Sequence, residues 1–583
     1  MGDTMTEKMT RRRLLEASAI GLSALSAGAA SAQTAAPAAA APSAGQLAGA
    51  ETLAGVSYTD AERTQVLATI ADQLEAIRLL RAIDKPNALH PAQVFSPRLP
   101  GVIYPAQRKR VATGRVDAGE LPIDDNDIAF APVWKLSRWL QTRRLTSRRL
   151  TDIYLARIER HAPTLQCFVT IMADSARAQA DAADAELRRG RARSPLHGVP
   201  YGLKDLFDAE GAPTTWGAEP WMNNSPATTD SVVAARLKAA GAVLLGKTTT
   251  GALARGDVWF GGVTKNPWNP EEGSSGSSAG SCSATAAGLL GFGIGTETLG
   301  SLISPSHRCG TTALRPTFGR TPRSGGMALC WSLDKIGPIA RSVLDTALIL
   351  SVINGGDASD PGSLDWGLDY DGSIDVEGMR VGYVPAWYEE GVQGGAQDYD
   401  RAALEAARAA GVNLIEVAPK PQPFQAFQQA LRVEAAAAFE ELTLSGRDDT
   451  LAAQNNGAWP NTFRTARFIS GVDYVQIDRV RRKAMLEMHE LFSGVDALIG
   501  PNFAGGMLVT TNFTGQPQLA FRAGFIDTPA RSLTGQAVEG AVAKRTAVAS
   551  SLWAPVFEER NLVRLGRVLE ARLGVAEERP PLS

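Results

Sequence analysis

Between Asp230 and Thr248 the chain changes its periodicity twice within a short span. Val232-Val233-Ala234-Ala235-Arg236-Leu237 has the spacing of a helix with one apolar face, Gly241 interrupts it, and Val243-Leu244-Leu245 follows as a short apolar run. A helix that stops at a glycine and re-enters as a buried strand needs layers on both sides, which predicts an α/β architecture. The same alternation recurs downstream, with a strand over Met379–Val384, a helix over Tyr399–Ala410 and a strand over Val495–Pro501. Upstream, Leu136, Trp139 and Leu140 mark one helix. Thr146-Ser147 caps a second that buries Leu150, Ile153, Tyr154 and Ile158, and Ala173–Arg189 forms a third.

Composition narrows the function classes. The 583 residues are 44% hydrophobic and 21% charged, and no apolar run reaches the roughly 20 residues that span a bilayer. A formal charge of -2, with acids and bases interspersed, supplies no field for a phosphate backbone, so a nucleic-acid partner is not expected. The four cysteines, at 167, 282, 309 and 330, form no CxxC pair and read as small buried hydrophobes, with a disulfide left open. Five histidines without ligand spacing imply no catalytic metal and no cofactor.

The N-terminus reads as an address. Thr10-Arg11-Arg12-Arg13-Leu14-Leu15 precedes the mildly apolar stretch Ala17–Ala30, and Ala30-Ser31-Ala32 before Gln33 fits a cleavage site, so residues 1–32 resemble a twin-arginine signal peptide. The mature protein is then expected in the periplasm or outside the cell. Residues 33–50, rich in Ala, Pro, Ser and Gly, are expected to be a flexible linker. Residues 51–132 are expected to form a helical extension, with apolar spacing from Ala61 to Ala82 and a Pro-rich wrapping segment to about Pro122. Residues 133–583 are left for the catalytic domain.

Three places carry candidate chemistry. Gly198–Phe207 sets Lys204 in an apolar run, where desolvation favours a neutral amine unless a neighbour such as Asp205 pairs with it. Glu271–Ser301 holds seven serines among glycines and alanines, expected as a flexible loop, a helix over Ser283–Leu290, a strand over Phe292–Ile294, and a turn ending at Ser301. A serine after a glycine on such a turn presents its hydroxyl beside successive N–H groups, as a tetrahedral oxyanion requires. The tract lacks the G-K-[ST] ending of a phosphate loop. His197 and His307 are the rival bases for a histidine-dependent triad, though no G-x-S-x-G elbow accompanies them. Trp216, Trp221, Trp259, Phe260 and Trp331 line either an apolar cleft or the core.

Several of these motifs, in this order, resemble the amidase signature family. They are Pro195–Asp205, Asn266-Pro267-Trp268-Asn269-Pro270, the Gly/Ser tract, Gly310–Arg320 and Leu333-Asp334-Lys335-Ile336-Gly337-Pro338. The resemblance runs from about Val133 to the C-terminus and is thinnest over 370–500. It implies an α/β fold with a mixed central sheet between helices, and hydrolysis or transfer of a carboxamide by a Ser, cis-Ser, Lys triad. Register from Asn266 carries the cis-Ser onto Ser277 rather than Ser274 or Ser275, and the nucleophile onto Ser301, twenty-four residues further on. Lys204 becomes the base. Backbone N–H groups of Thr298, Leu299, Gly300 and Ser301 become the oxyanion hole, provided that φ at Leu299 is negative.

The chain departs from the family pattern at Thr249, at Ala252-Leu253-Ala254, at Glu297 for Asp, at Leu299 for Gly and at Ile303 for Arg. The resemblance thus implies an exported amidase acting on a small-molecule amide. The rival readings are a glutaminase like the A component of glutamyl-tRNA amidotransferase and an idle amidase-fold binding protein. Whether the chain forms a homo-oligomer is left open.

Overall fold

The computed structural model describes residues 42–114, 116–389 and 398–582. The signal peptide expected over 1–32 and the linker as far as residue 41 lie outside the described residues. The chain divides into two units, 1–84 and 85–583.

In the first unit, helices Ala44–Ala54 and Asp60–Ala82 each begin with a reciprocal capping box, Ser43 with Gln46 and Thr59 with Glu62. Glu51 meets Arg63 at 2.8 Å. The linker expected over 33–50 is therefore helical from Ala44. Its alanines resemble a flexible spacer in composition, yet alanine is also the strongest helix former, and Ser43 supplies the cap.

The second unit begins at Lys85. Residues 85–124 are the Pro-rich segment and, among the described residues, hold no helix, because recurrent prolines remove donors and fix φ. They are tied to the rest of this unit: Asn87 Nδ2 donates to the carbonyls of Ala328 and Ala438, and Arg110-Val111 pairs in parallel with Asp369-Tyr370.

Among the described residues, eleven strands form one mixed sheet. They are β1 Phe168–Ile171, β2 Pro200–Lys204, β3 Val243–Thr248, β4 Phe292–Glu297, β5 Thr312–Arg315 and β6 Lys335–Ala340. The others are β7 Arg380–Tyr383, β8 Asn413–Glu416, β9 Ala497–Pro501, β10 Gln518–Thr528 and β11 Lys544–Trp553. Their order is β8-β7-β9-β11-β10-β5-β6-β4-β2-β3-β1. Helices flanking the sheet bury Leu150, Leu348 and Leu562 in one core with Leu203, Leu245 and Phe292. The chain thus has the α/β fold with a large mixed sheet that its sequence predicts.

The three helices read between Val133 and Arg189 form at Val133–Gln141, Ser147–Leu165 and Ala173–Arg188, with Thr146 Oγ1 accepting from Arg149 N at the second. Strand β2 positions the site. It runs parallel to β3 and β4, with Lys204 opposite Thr248 and Leu203 opposite Ile294. The C-terminal ends of three parallel strands therefore open on one edge of the sheet, where α/β proteins place their sites. Among the described residues, no helix is long and apolar enough to cross a membrane.

Candidate active site

Lys204 is the last residue of β2 and is wholly buried. Its Nζ donates to Ser277 Oγ at 2.9 Å, Ser278 Oγ at 3.2 Å and Thr296 Oγ1 at 2.7 Å. Asp205, the adjacent carboxylate, pairs instead with Lys247 at 2.8 Å and accepts from the hydroxyl and N–H of Thr215. Among the described residues no carboxylate is ion-paired to Lys204, and burial lowers its pKa from 10.5 to about 7.

The three hydroxyls around the amine are not equivalent. Ser278 Oγ already donates to the carbonyl of Thr296 at 3.1 Å, so toward Lys204 it can only accept. Once Lys204 is neutral and carries a lone pair, Ser277 is the hydroxyl of the serine tract whose proton is free to move onto it.

A short hairpin, Lys265-Asn266 with Asn269–Gly273, leads into the serine tract. Ser274 Oγ donates to the carbonyl of Ser275, and Ser275 N donates to Asp257 Oδ2. Neither serine meets Lys204, whereas Ser277 does. The Gly276–Ser277 peptide is cis. Gly276 has no room for a side chain, since a Cβ there would lie 1.9 Å from the Gly256 carbonyl oxygen. The helix expected over Ser283–Leu290 lies at Ala279–Ala286 and begins directly after Ser278. The small residues that resemble loop in the sequence are its first turn, which packs closely: a Cβ on Gly280 would lie 2.3 Å from the Cys167 carbonyl oxygen.

Ser301 follows β4 through the turn 298–300 and is 8% exposed. Ser278 N donates to the Ser301 carbonyl at 3.1 Å, which stitches the two serine-bearing segments together. Among the described residues no hydrogen bond joins the Ser277 and Ser301 hydroxyls, a link that ligand-free sites often leave open. Gly300 has φ 94, whereas Leu299 is not among the residues with positive φ. The condition set for a backbone donor at 299 is therefore met. Among the described residues no protein acceptor takes the N–H of Leu299, Gly300 or Ser301.

The turn is fixed from below. Thr298 Oγ1 donates to Asp334 Oδ1 at 2.6 Å, and Asp334 also accepts from the N–H groups of Leu329 and Cys330. Glu297 accepts from Arg315 at 2.8 Å, from Asn512 and from the N–H groups of Leu302 and Ile303. Despite burial, which acts to raise it, the Glu297 pKa is held below its ordinary value by Arg315 and these donors. Two of the positions that depart from the family pattern have apolar surroundings. Leu299 packs near Cys330, Leu333 and Phe427, and Ile303 is buried with Ala520 and Ala549.

A cleft of about 540 Å³ opens at Ser301, Thr298 and Leu299 and is walled by Arg255, Arg432, Asn456, Asn461 and Trp459. The aromatic residues proposed from sequence do not line it. The rings of Trp216 and Trp221 meet at a tilt, 4.7 Å apart beside Phe439, and Trp259 packs edge-on against Phe260 at 4.8 Å. Trp331 lines an adjoining cavity of about 160 Å³ with Thr296, Asp334 and Lys335. Trp459, Arg432 and the two asparagines come from the segment where the family resemblance is thinnest, and no local motif marks them.

The rival bases have other partners. His197 Nε2 contacts the Ala183 carbonyl at 3.1 Å. His307 Nδ1 lies 2.9 Å from the Ala549 carbonyl, and burial lowers its pKa to about 4. All four cysteines are buried and free, so the disulfide left open by the sequence is not formed.

Comparison with known proteins shows the family to which this fold belongs. The profile of the Amidase family matches residues 149–514. The A component of glutamyl-tRNA(Gln) amidotransferase from Anaeromyxobacter dehalogenans is 33% identical over 461 residues, covering 74% of this chain and 94% of the relative. The peptide amidase of Stenotrophomonas maltophilia superposes with a TM-score of 0.64 at 26% identity, covering 78% of this chain and 99% of that one. A bacterial aryl acylamidase of the amidase signature family, with a TM-score of 0.66 at 22% identity over 77% and 99% of the two chains, shares the fold. The chain belongs to the amidase signature family, enzymes that act on carbon–nitrogen bonds.

Proposed function

We propose that this protein hydrolyses a small-molecule carboxamide to a carboxylate and ammonia or an amine, with Ser301 as nucleophile, Ser277 as proton relay and Lys204 as base. The observation that carries this reading is a buried lysine, unpaired with any carboxylate among the described residues, 2.9 Å from Ser277. Neutral Lys204 takes the Ser277 proton as Ser277 takes that of Ser301, and the Ser301 oxygen adds to the amide carbon. The carbonyl oxygen becomes an oxyanion beside the N–H groups of Thr298, Leu299, Gly300 and Ser301. Its collapse breaks the C–N bond, the amine leaves with a proton returned through Ser277, and water hydrolyses the acyl-Ser301 ester.

A second reading is favoured by the 33% identity to the A component of the amidotransferase, namely a glutaminase that passes ammonia to a partner. The arginine-rich leader and its A-x-A site argue for export and against that role, since charged tRNA is cytoplasmic. We place the mature protein in the periplasm or outside the cell on that basis. The test is release of ammonia or amine from a panel of carboxamides, anilides, peptide amides and glutamine, by wild type and Ser301→Ala. Turnover confined to wild type supports the amidase. Turnover of glutamine alone, with a copurifying partner, favours the second reading, and no turnover with tight ligand binding favours an idle fold.

A further inference from the structure

The cleft at Ser301 has a one-sided charge. Among the described residues its lining includes two ionisable side chains, Arg255 and Arg432, and no aspartate or glutamate, although the whole chain carries 61 acidic residues against 59 basic. Among the described residues neither arginine is ion-paired. Arg432 reaches only Gln429 Oε1, at 3.5 Å, and the Arg255 guanidinium lies over the Trp459 ring at 5.0 Å. Loss of surrounding water, followed by the repulsion of Arg432, holds Arg255 below the usual arginine pKa. Two like charges kept together without a counter-charge are unfavourable until an anion arrives.

Arg255 is also held in place. Trp459 Nε1 donates to the Leu253 carbonyl at 3.1 Å, so the ring under the guanidinium is tied to the segment that bears it. Leu253 and Ala254, immediately before Arg255, have φ of 50 and 61, a left-handed conformation that non-glycine residues adopt at a cost. This bend sets Ala254 and Arg255 on the cleft wall, and Gln428, Asn456 and Asn461 add neutral polar groups around them. Both arginines are exposed, so a dissolved anion can reach them, and both stand on the wall of the same cleft as the candidate nucleophile.

We propose that the amide acted on at Ser301 carries a carboxylate, held by Arg255 and Arg432 in the same cleft; this inference rests on the amidase reading above. A planar guanidinium offers paired donors that match the two oxygens of a carboxylate, so the pair fixes the orientation of the substrate as well as its charge.

The test uses two fluorophosphonates on the same five-carbon chain, one ending in a carboxylate and one in its methyl ester, with second-order labelling rates and the adduct located by mass spectrometry. In wild type the carboxylate probe labels Ser301 about tenfold faster, and its advantage shrinks as salt is added. That ratio falls toward one in Arg255→Gln and in Arg432→Gln. The second variant keeps the test valid if loss of the Trp459 contact impairs folding in the first. A neutral probe that labels Ser301 as fast as the carboxylate probe overturns this inference and leaves the amidase reading intact. Absence of any Ser301 adduct from either probe overturns both. Protection of Ser301 by inorganic phosphate and not by succinate overturns the choice of carboxylate.

Discussion

The pH dependence of Ser301 reactivity follows from one group. Burial brings Lys204 to a pKa of about 7, and its neutral form is the one that can accept the Ser277 proton. Such an amine is about 9% neutral at pH 6, about half at pH 7 and about 91% at pH 8, so labelling of Ser301 by a neutral fluorophosphonate should rise about tenfold from pH 6 to pH 8. Lys335 is also lowered to about 7 by burial, but it donates to the Leu333 carbonyl and touches neither serine, so Lys335→Met should keep the profile. Lys204→Met should flatten it and slow labelling by about a thousandfold. Stability carries the opposite sign. The fall from 10.5 to about 7 corresponds to about 5 kcal/mol against the folded state wherever both folded and unfolded chains are protonated, below about pH 7. As pH rises from about 7 to 10.5 the folded chain has shed a proton that the unfolded chain keeps, so the wild type gains stability. The Lys204→Met variant should therefore be more resistant to denaturant than wild type at neutral pH, by a margin that narrows at alkaline pH. A labelling rate that is flat from about pH 5.5 to about pH 9, or that still climbs toward 10.5, would refute the argument for a neutral lysine.

Other substitutions separate neighbouring residues. Ser277→Ala should cut Ser301 labelling by about a hundredfold or more, whereas Ser274→Ala and Ser275→Ala, which remove hydroxyls that do not meet Lys204, should retain most of it. Equal losses in all three would contradict the register. Glu297→Ala leaves Arg315 buried without its carboxylate and should cost about 3–5 kcal/mol, read as a lower melting temperature, with the conservative Glu297→Asp recovering part of the loss.

The layers of the fold are legible in the sequence because the helices before Arg189 and strands β2 to β4 have short-range periodicity that matches their final burial. The long β10–β11 hairpin is not. Its residues are buried on both faces near the sheet centre, Arg522, Ser550 and Ser551 among them, and lose the alternation that marks a half-buried strand. The tract helix begins four residues earlier than its sequence suggests, because glycine and serine look like loop until close contact with the end of β3 gives them a reason. Lys204, Ser277 and Ser301 stand out because motifs fix their spacing. What the motifs cannot supply is why Lys204 lacks an ion pair. That depends on Lys247, forty-three residues away in sequence, drawing Asp205 aside. The cleft wall is hidden for the same reason, since Arg255, Arg432 and Trp459 meet only in three dimensions.

The most direct test of the central claim is to treat the folded protein with a neutral fluorophosphonate, digest it and locate the adduct, with Lys204→Met alongside. The expected outcome is a single adduct on Ser301 that is lost in the lysine variant. An adduct on Ser274, Ser275 or Ser277, or labelling of Ser301 that survives removal of Lys204, would contradict it.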